Sequence, residues 1–289
     1  MYREAATSTL QFPSLTPWVK RLLLLNLAIW LGTFVLYLAA GESKDAYFSF
    51  IRRFGVTPEL WRTEPWFAFW QPLSYALLHD VGPRHLLFNS LTLYFMGTLL
   101  ESGRGSRAFL GVYVAGALVG GLAYLLVDGL ILGSSAPCIG ASGACLAVLV
   151  AAAVTWPMVM IFGAIPLWIV AAVLVAMDFA NLLLSFDGGY GGGAAFSAHL
   201  GGAALGFVAG KRPELLLGAT NWFAEIPARR ARRRAQRAVL AAAAQRERVD
   251  ELLAKVSREG LSALSAAERK ELEAFSREMG ERRRRERSG

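Results

Sequence analysis

Apolar positions in this chain come in long unbroken runs rather than in alternation. Six runs stand out: 22–40, 83–101, 107–127, 142–156, 164–184 and 195–210. About 20 residues at a rise of 1.5 Å each cross a hydrocarbon core of roughly 30 Å, so each run is expected to be a membrane-spanning helix. The first, LLLLNLAIWLGTFVLYLAA, follows Lys20 and Arg21 and exceeds the usual apolar core of a signal peptide; it reads as a retained anchor. Pro83 opens the second run where a first helical turn tolerates it. The fourth and sixth are short and glycine-rich, which suits helices enclosed by others, because small residues permit close contact. Between the first two runs, 41–70 is mixed in charge and rich in aromatics (WRTEPWFAFW), too polar to span and long for a plain connection.

Composition agrees with this pattern: 55% of the 289 residues are apolar, and the mean hydropathy is +0.40. Two cysteines, Cys138 and Cys145, make no disulfide framework and lack zinc-site spacing; they read as small apolar fillers. Charge is uneven. Residues 211–289 hold 20 Lys and Arg against 12 Asp and Glu, and the remainder of the chain is neutral. Basic residues in short loops mark the cytoplasmic side. Lys20 and Arg21, Arg104 and Arg107, and Lys211 and Arg212 all fall on one side of a six-span chain, so both termini are expected there. The other side receives 41–82, the loop around Asp128 and the glycine-rich loop 185–194.

After residue 211 a basic helix is expected to run to Gly260, and Ser265 with Glu268 forms a capping-box pattern opening another helix to about Met279. The expected organisation is therefore a cytoplasmic segment 1–19, a membrane domain 20–212 and a helical cytoplasmic tail 213–289. Behind a membrane domain, the nearer partner for such a tail is an anionic lipid surface rather than nucleic acid.

Polar groups in hydrocarbon need a reason. The candidates are His85 and Asn89 in span two, Ser142 in span four, Asp178 and Asn181 in span five, and His199 in span six. Asn89 and His85 lie 12 and 16 residues before Glu101, at the inner end of span two. That is roughly 18 and 24 Å of helix. His199 lies 12 residues before Lys211 and Ser142 lies 14 before Trp156, roughly 18 and 21 Å. All four thus share one depth in the outer half of the bilayer. His85 and Asn89, four apart, share a helix face. Gly143 with Ala147, and Gly202 with Gly206, give spans four and six small contact surfaces that bring Ser142 toward His199. A serine beside a histidine is a nucleophile with its base. No acidic residue lies at that depth in spans two, four and six, so a two-residue dyad is expected. The amide at the start of span four points toward a developing oxyanion, and His85 and Asn89 supply further donors.

These residues resemble the rhomboid intramembrane serine proteases. The motifs are Gly140-Ala141-Ser142-Gly143, His85-Leu-Leu-Phe-Asn89, and Ala198-His199-Leu200-Gly201-Gly202 with Gly206, in the family's order on spans of residues 18–212. The resemblance implies Ser142 as nucleophile, His199 as base, and Asn89, His85 and Gly140 around the oxyanion. Trp70-Gln71 looks like the family's element in the first external loop, and Glu101 like the structural acid closing its second helix. Where the family often carries an aromatic residue packed on the catalytic histidine, this chain has Leu146. Asp178 matches no catalytic position of the family and reads as a buried acid, protonated or hydrogen-bonded to a neighbouring span. The tail stretch LLAKVSREGLSALSAAERKELEAF resembles an appendage of some bacterial rhomboids.

The expected protein is an all-α polytopic membrane protein, a rhomboid-like six-helix bundle with a cytoplasmic helical tail, in a bacterial cytoplasmic membrane. It is expected to cleave single-pass or polytopic membrane-protein substrates near the outer face through an acyl-enzyme. No metal or nucleotide cofactor is called for: the chain has no P-loop, no paired metal-binding carboxylates and no His-Glu-x-x-His. Two alternatives are an inactive relative that binds and escorts membrane proteins, and a small transporter using Asp178 and His199. Retention of both Ser142 and His199 argues against the first. The absence of an internal repeat argues against the second.

Overall fold

The computed structural model describes residues 13–161, 163–186, 195–215, 236–237, 240, 245, 247–260 and 263–288. The chain divides into two compact units, Met1–Asn221 and Trp222–Gly289. The first unit is helical. Its elements are α1 (Pro17–Ala39), α2 (Asp45–Phe54), α3 (Pro58–Thr63), α4 (Gln71–Ser74), α5 (Pro83–Thr92), α6 (Thr98–Tyr124), α7 (Ser142–Thr155), α8 (Leu167–Phe186) and α9 (Phe196–Lys211). A π-helical turn at Leu93–Gly97 joins α5 to α6, and another at Leu125–Ile131 extends α6. The 49-residue stretch Pro83–Ile131 is too long for one crossing, since roughly 20 residues suffice. It is broken at Gly105, whose φ of +83° is not helical. Pro17–Ala39 and Leu167–Phe186 are also long and apolar enough to cross a membrane, and Ser142–Thr155 is apolar but shorter.

Burial separates the centre from the rim. Every residue of α7 from Gly143 to Ala153 is buried, the mark of a helix enclosed on all sides. α6 contributes a stripe at Phe109, Val112, Tyr113, Gly116, Ala117, Gly120, Gly121 and Tyr124, the three-and-four spacing of one helix face. α1 fully buries Val19, Asn26 and Thr33, and α8 fully buries Leu167 and Ala171. Both turn leucines, valines and aromatics outward, as lipid contact requires.

Small residues set the spacing of the centre. A Cβ on Gly202 would overlap the Gly143 backbone carbonyl, and one on Gly206 would overlap the Ala147 carbonyl. The two helices therefore pack backbone against backbone along this seam.

The connection 41–82, whose part 41–70 is too polar to span and long for a plain connection, folds into α2 to α4 and two short 3-10 turns. Gln71 organises it. Its Oε1 accepts from Thr57 N–H and Trp61 Nε1, both at 3.0 Å, and its Nε2 donates to the carbonyls of Arg52 and Arg53 at 3.1 and 3.2 Å. Trp70 Nε1 also donates to the Arg53 carbonyl, and the Arg53 guanidinium lies over the Trp70 ring. The antiparallel pair Met160–Ile161 with Ile165–Pro166 ahead of α8 carries no sequence signal noted above.

One bend satisfies the ends of two helices. Glu101, buried at the start of α6, accepts from the N–H groups of Trp18 and Val19 in the first turn of α1 at 3.1–3.2 Å, and from Ser106 Oγ at 2.6 Å. Three residues on, Arg104 donates to the carbonyls of Ala209 and Gly210 at the end of α9 at 2.9 and 3.0 Å. A carboxylate at a helix N-terminus and a guanidinium at a C-terminus both match the helix dipole.

In the second unit a helical segment 247–259 ends at Gly260, with φ +83° and its N–H on the Val256 carbonyl. The next helix runs Ala266–Ser288, further than the Met279 expected. Its capping box is formed: Ser265 N–H donates to Glu268 Oε2 at 2.8 Å and Glu268 N–H to Ser265 Oγ at 3.2 Å. The Ser265 N–H first, and then Lys255, hold the Glu268 carboxyl down to about 2. The beginning of the expected basic helix and most of the glycine-rich loop 185–194 lie outside the described residues.

Two outcomes follow. Glu101→Ala is expected to lower stability by about 2–3 kcal/mol, since it leaves two helix-end donors unpaired. Glu101→Gln, which keeps an acceptor, should lose less. Equilibrium unfolding in detergent reads both, and an Ala variant as stable as wild type would remove Glu101 from the account. In the tail, Ser265→Ala should raise the opening constant of the amides at 266–268 by roughly fivefold, an N-cap loss of about 1 kcal/mol. Hydrogen exchange by mass spectrometry on the full chain measures it.

Candidate functional site

Four helices and one extended segment bring the polar residues of the membrane unit together. The extended segment comes first, because it fixes where α7 begins. Val56 and Cys138 exchange both backbone hydrogen bonds, at 3.0 and 2.9 Å, and Gly140 N–H donates to the Tyr75 carbonyl at 2.9 Å. Gly140 then adopts φ +125°, a conformation that favours glycine. A Cβ there would fall 2.5 Å from His85 Nε2 and 3.6 Å from Ser142 Oγ. The missing side chain thus lets the His85 ring lie against the backbone just ahead of Ser142. Ser142 follows as the first residue of α7, capped by Ala141, whose carbonyl accepts from Cys145 N–H at 2.8 Å. The N–H groups of the first turn have no partner within the helix, so they are available to an anionic oxygen.

His199, from α9, meets Ser142 across the glycine seam. Its Nε2 lies 2.7 Å from Ser142 Oγ. The contact exists because Gly202 and Gly206 let α9 lie against the backbone of α7, while Gly143 accommodates the Ala198 carbonyl. The start of α9 is tied down separately: Ser197 Oγ forms a short hydrogen bond with Asp128 Oδ2, beyond α6.

The other nitrogen of His199 carries the main correction to the sequence reading. Nδ1 lies 3.1 Å from Asp178 Oδ2. An acidic residue therefore does lie at the depth of the Ser-His pair, contrary to the expectation of a dyad without one. It comes from α8, the span that the depth comparison left out. Asp178 stands 11 residues from Leu167 at the start of α8, roughly 16 Å of helix, near the depth of roughly 18 Å obtained for His199. Phe196 was also not singled out: its ring meets His199 edge-on at 6.5 Å. Leu146, at the position where an aromatic was looked for, is buried.

His85 and Asn89 lie on one face of α5, and their positions differ. His85 has its Nδ1 3.4 Å from Asp80 N–H, which directs Nε2 toward Gly140 and the serine. His79 packs against the His85 ring at 5.2 Å. Burial first, and His85 second, lower the His79 imidazole to about 4, so at neutral pH it meets His85 as an uncharged ring. Asn89 is buried one turn further along. Its Nδ2 donates to the His85 carbonyl at 3.0 Å, and its own carbonyl accepts from Cys145 Sγ at 3.6 Å. Its second amide N–H remains for another acceptor. Cys138 and Cys145 are buried free thiols. Asn181 shows only a carbonyl that accepts from Ser185 Oγ.

An arrangement of this kind can activate a hydroxyl and receive negative charge beside it. Ser142 and His199 provide the first; the α7 N–H groups and His85 surround the place for the second.

Comparison with known proteins agrees with the geometry. A family model described as the Rhomboid domain matches residues 67–212, which contain every residue of the cluster. A second model, a family of unknown function termed DUF6576, matches residues 241–278 in the tail. Among curated proteins, the rhomboid protease GluP of Bacillus subtilis (strain 168) is 32% identical over 143 residues, 48% of this chain and 25% of that protein. The matched part of this chain thus spans about a quarter of that relative. The chain is an integral membrane protein and belongs to the rhomboid family.

Proposed function

We propose that the chain is an intramembrane serine endopeptidase. The observation that carries the reading is the 2.7 Å contact between Ser142 Oγ and His199 Nε2, made between two apolar helices with His85 lying against Gly140 beside it. A hydroxyl and an imidazole are costly in hydrocarbon, and this pair also has the geometry of a nucleophile with its base.

In the proposed reaction Ser142 Oγ attacks the carbonyl carbon of a peptide bond and its proton passes to His199 Nε2. The carbonyl oxygen becomes an oxyanion, held by the N–H groups at the start of α7, by His85 Nε2–H and by the free N–H of Asn89. The C–N bond then breaks, His199 returns the proton to the leaving amine, and an acyl ester remains on Ser142. Water adds to that ester, again losing a proton to His199; the C–Oγ bond then breaks, His199 returns the proton to Ser142 Oγ, and the new carboxyl terminus is released. The substrate is a transmembrane segment of another membrane protein, opened locally at the scissile bond, since a helical peptide bond is enclosed by its own turn.

The proposed frame is six spans, with the stretch Pro83–Ile131 divided into two at Gly105. Its support is that the start of α1, the end of α9 and the bend at 101–106 meet at one end of the unit. Both termini would then face the cytoplasm, and Ser142 would open toward the outer side. The basic tail would lie along an anionic lipid surface.

Labelling with a fluorophosphonate probe in detergent tests the reading. Wild type is expected to label, and Ser142→Ala and His199→Ala are not. His85→Ala should slow labelling by about 10²-fold, the loss of one oxyanion donor. A folded wild type that takes up no probe would move an inactive, escort-type protein ahead.

A further inference from the structure

We propose that Asp178 is the positioning residue for His199, making the site an Asp-His-Ser relay; this rests on the reading of Ser142 and His199 just given. The two contacts of His199 fall on opposite ring nitrogens: Nε2 on Ser142 Oγ at 2.7 Å, and Nδ1 on Asp178 Oδ2 at 3.1 Å. An ionised carboxylate only accepts hydrogen bonds. It therefore keeps the proton on Nδ1 and leaves the Nε2 lone pair free for the serine proton. When that proton arrives, the carboxylate faces the new imidazolium charge.

Three further observations favour this role over simple packing. Asp178 is the only ionisable residue of α8, a helix otherwise built of apolar residues with Asn181 and Ser185. Such a helix gains nothing from a carboxylate unless a partner receives it. Among the described residues the ion-pair partner of Asp178 is His199, and both side chains are largely withdrawn, at 16% and 22% exposure. α8 also buries only Leu167 and Ala171, so close packing does not account for an acid at 178. Among the described residues the hydrogen bonds at the His199 ring nitrogens are those with Asp178 and Ser142. Phe196 meets the ring edge-on and limits its tilt, but a phenyl ring does not choose which nitrogen carries hydrogen.

The test measures fluorophosphonate labelling rates of Ser142 in the full-length protein, alongside melting temperatures, for wild type, Asp178→Asn, Asp178→Glu and Asp178→Ala. Asp178→Asn should melt as wild type and label about 10²-fold more slowly or worse, since an amide can donate to Nδ1 and favour the unproductive tautomer. Asp178→Glu, which restores a carboxylate, should recover part of the rate. Formate added to Asp178→Ala should accelerate labelling, which a packing role would not produce. Labelling of Asp178→Asn at the rate of a reactive wild type overturns the inference and leaves Ser142 and His199 as a self-sufficient pair. A lowered melting temperature with no recovery by Glu or formate also overturns it, in favour of packing. An unreactive wild type defeats the underlying reading, and the inference with it.

Discussion

The closeness of α7 to α9 is the constraint on which the site depends. Ser142 and His199 have short side chains on different helices, and ordinary helices pack with axes 8–10 Å apart. Here the Gly143 and Ala147 carbonyls occupy space that a Cβ on Gly202 or Gly206 would fill. Backbone contact along that seam places the two functional groups within hydrogen-bond distance. The same seam leaves α7, which opens on Ser142, buried on every side from Gly143 to Ala153.

Close packing of backbones leaves little room for error at helix ends, where unpaired N–H and C=O groups are costly in a bilayer. The chain answers this at the bend near Gly105, within α6. Glu101 receives the first N–H groups of α1, and Arg104 donates to the last carbonyls of α9. Two residues three apart thereby join α1 to α9, the helix of His199. At the opposite side, the Val56 and Tyr75 backbones hold 138–140 extended, so that Gly140 and Ser142 begin α7 in one fixed direction. Gln71 in turn ties the Thr57, Arg52 and Arg53 backbones together beside Val56. The polar connection is the support under the serine rather than a spacer between spans.

Much of this was legible in the sequence, for identifiable reasons. Apolar runs mark the helices because lipid allows few alternatives, and small residues mark the seam because nothing else fits. Depth follows from counting at 1.5 Å per residue, which aligns His85, Asn89, Ser142 and His199 from the sequence alone. The same count along span five brings Asp178 near that depth; its mismatch with every catalytic position of the family, rather than any lack of signal, left it a buried acid. Other features had no such signal. The helices within 41–82 are short, and their order comes from long-range bonds to Gln71 and Trp70 rather than from periodicity. The partner of Glu101 lies 82 and 83 residues away in the chain, and no local pattern names it.

What no spacing argument reaches is the division of labour between the two histidines nearest the serine. Both turn Nε2 toward the reacting position, yet one is read as a donor and the other as a base. The difference lies in what each meets at Nδ1. For His85 it is the N–H of Asp80, a donor, so Nδ1 accepts and the proton resides on Nε2, close against Gly140. For His199 it is a carboxylate, an acceptor, so the proton resides on Nδ1 and Nε2 is left to receive. A neutral imidazole has one proton for two nitrogens, so its second neighbour decides its chemistry at the first. Exchanging those neighbours would leave every side chain of the serine's immediate surroundings in place. It would also leave the serine facing a proton where it needs a lone pair.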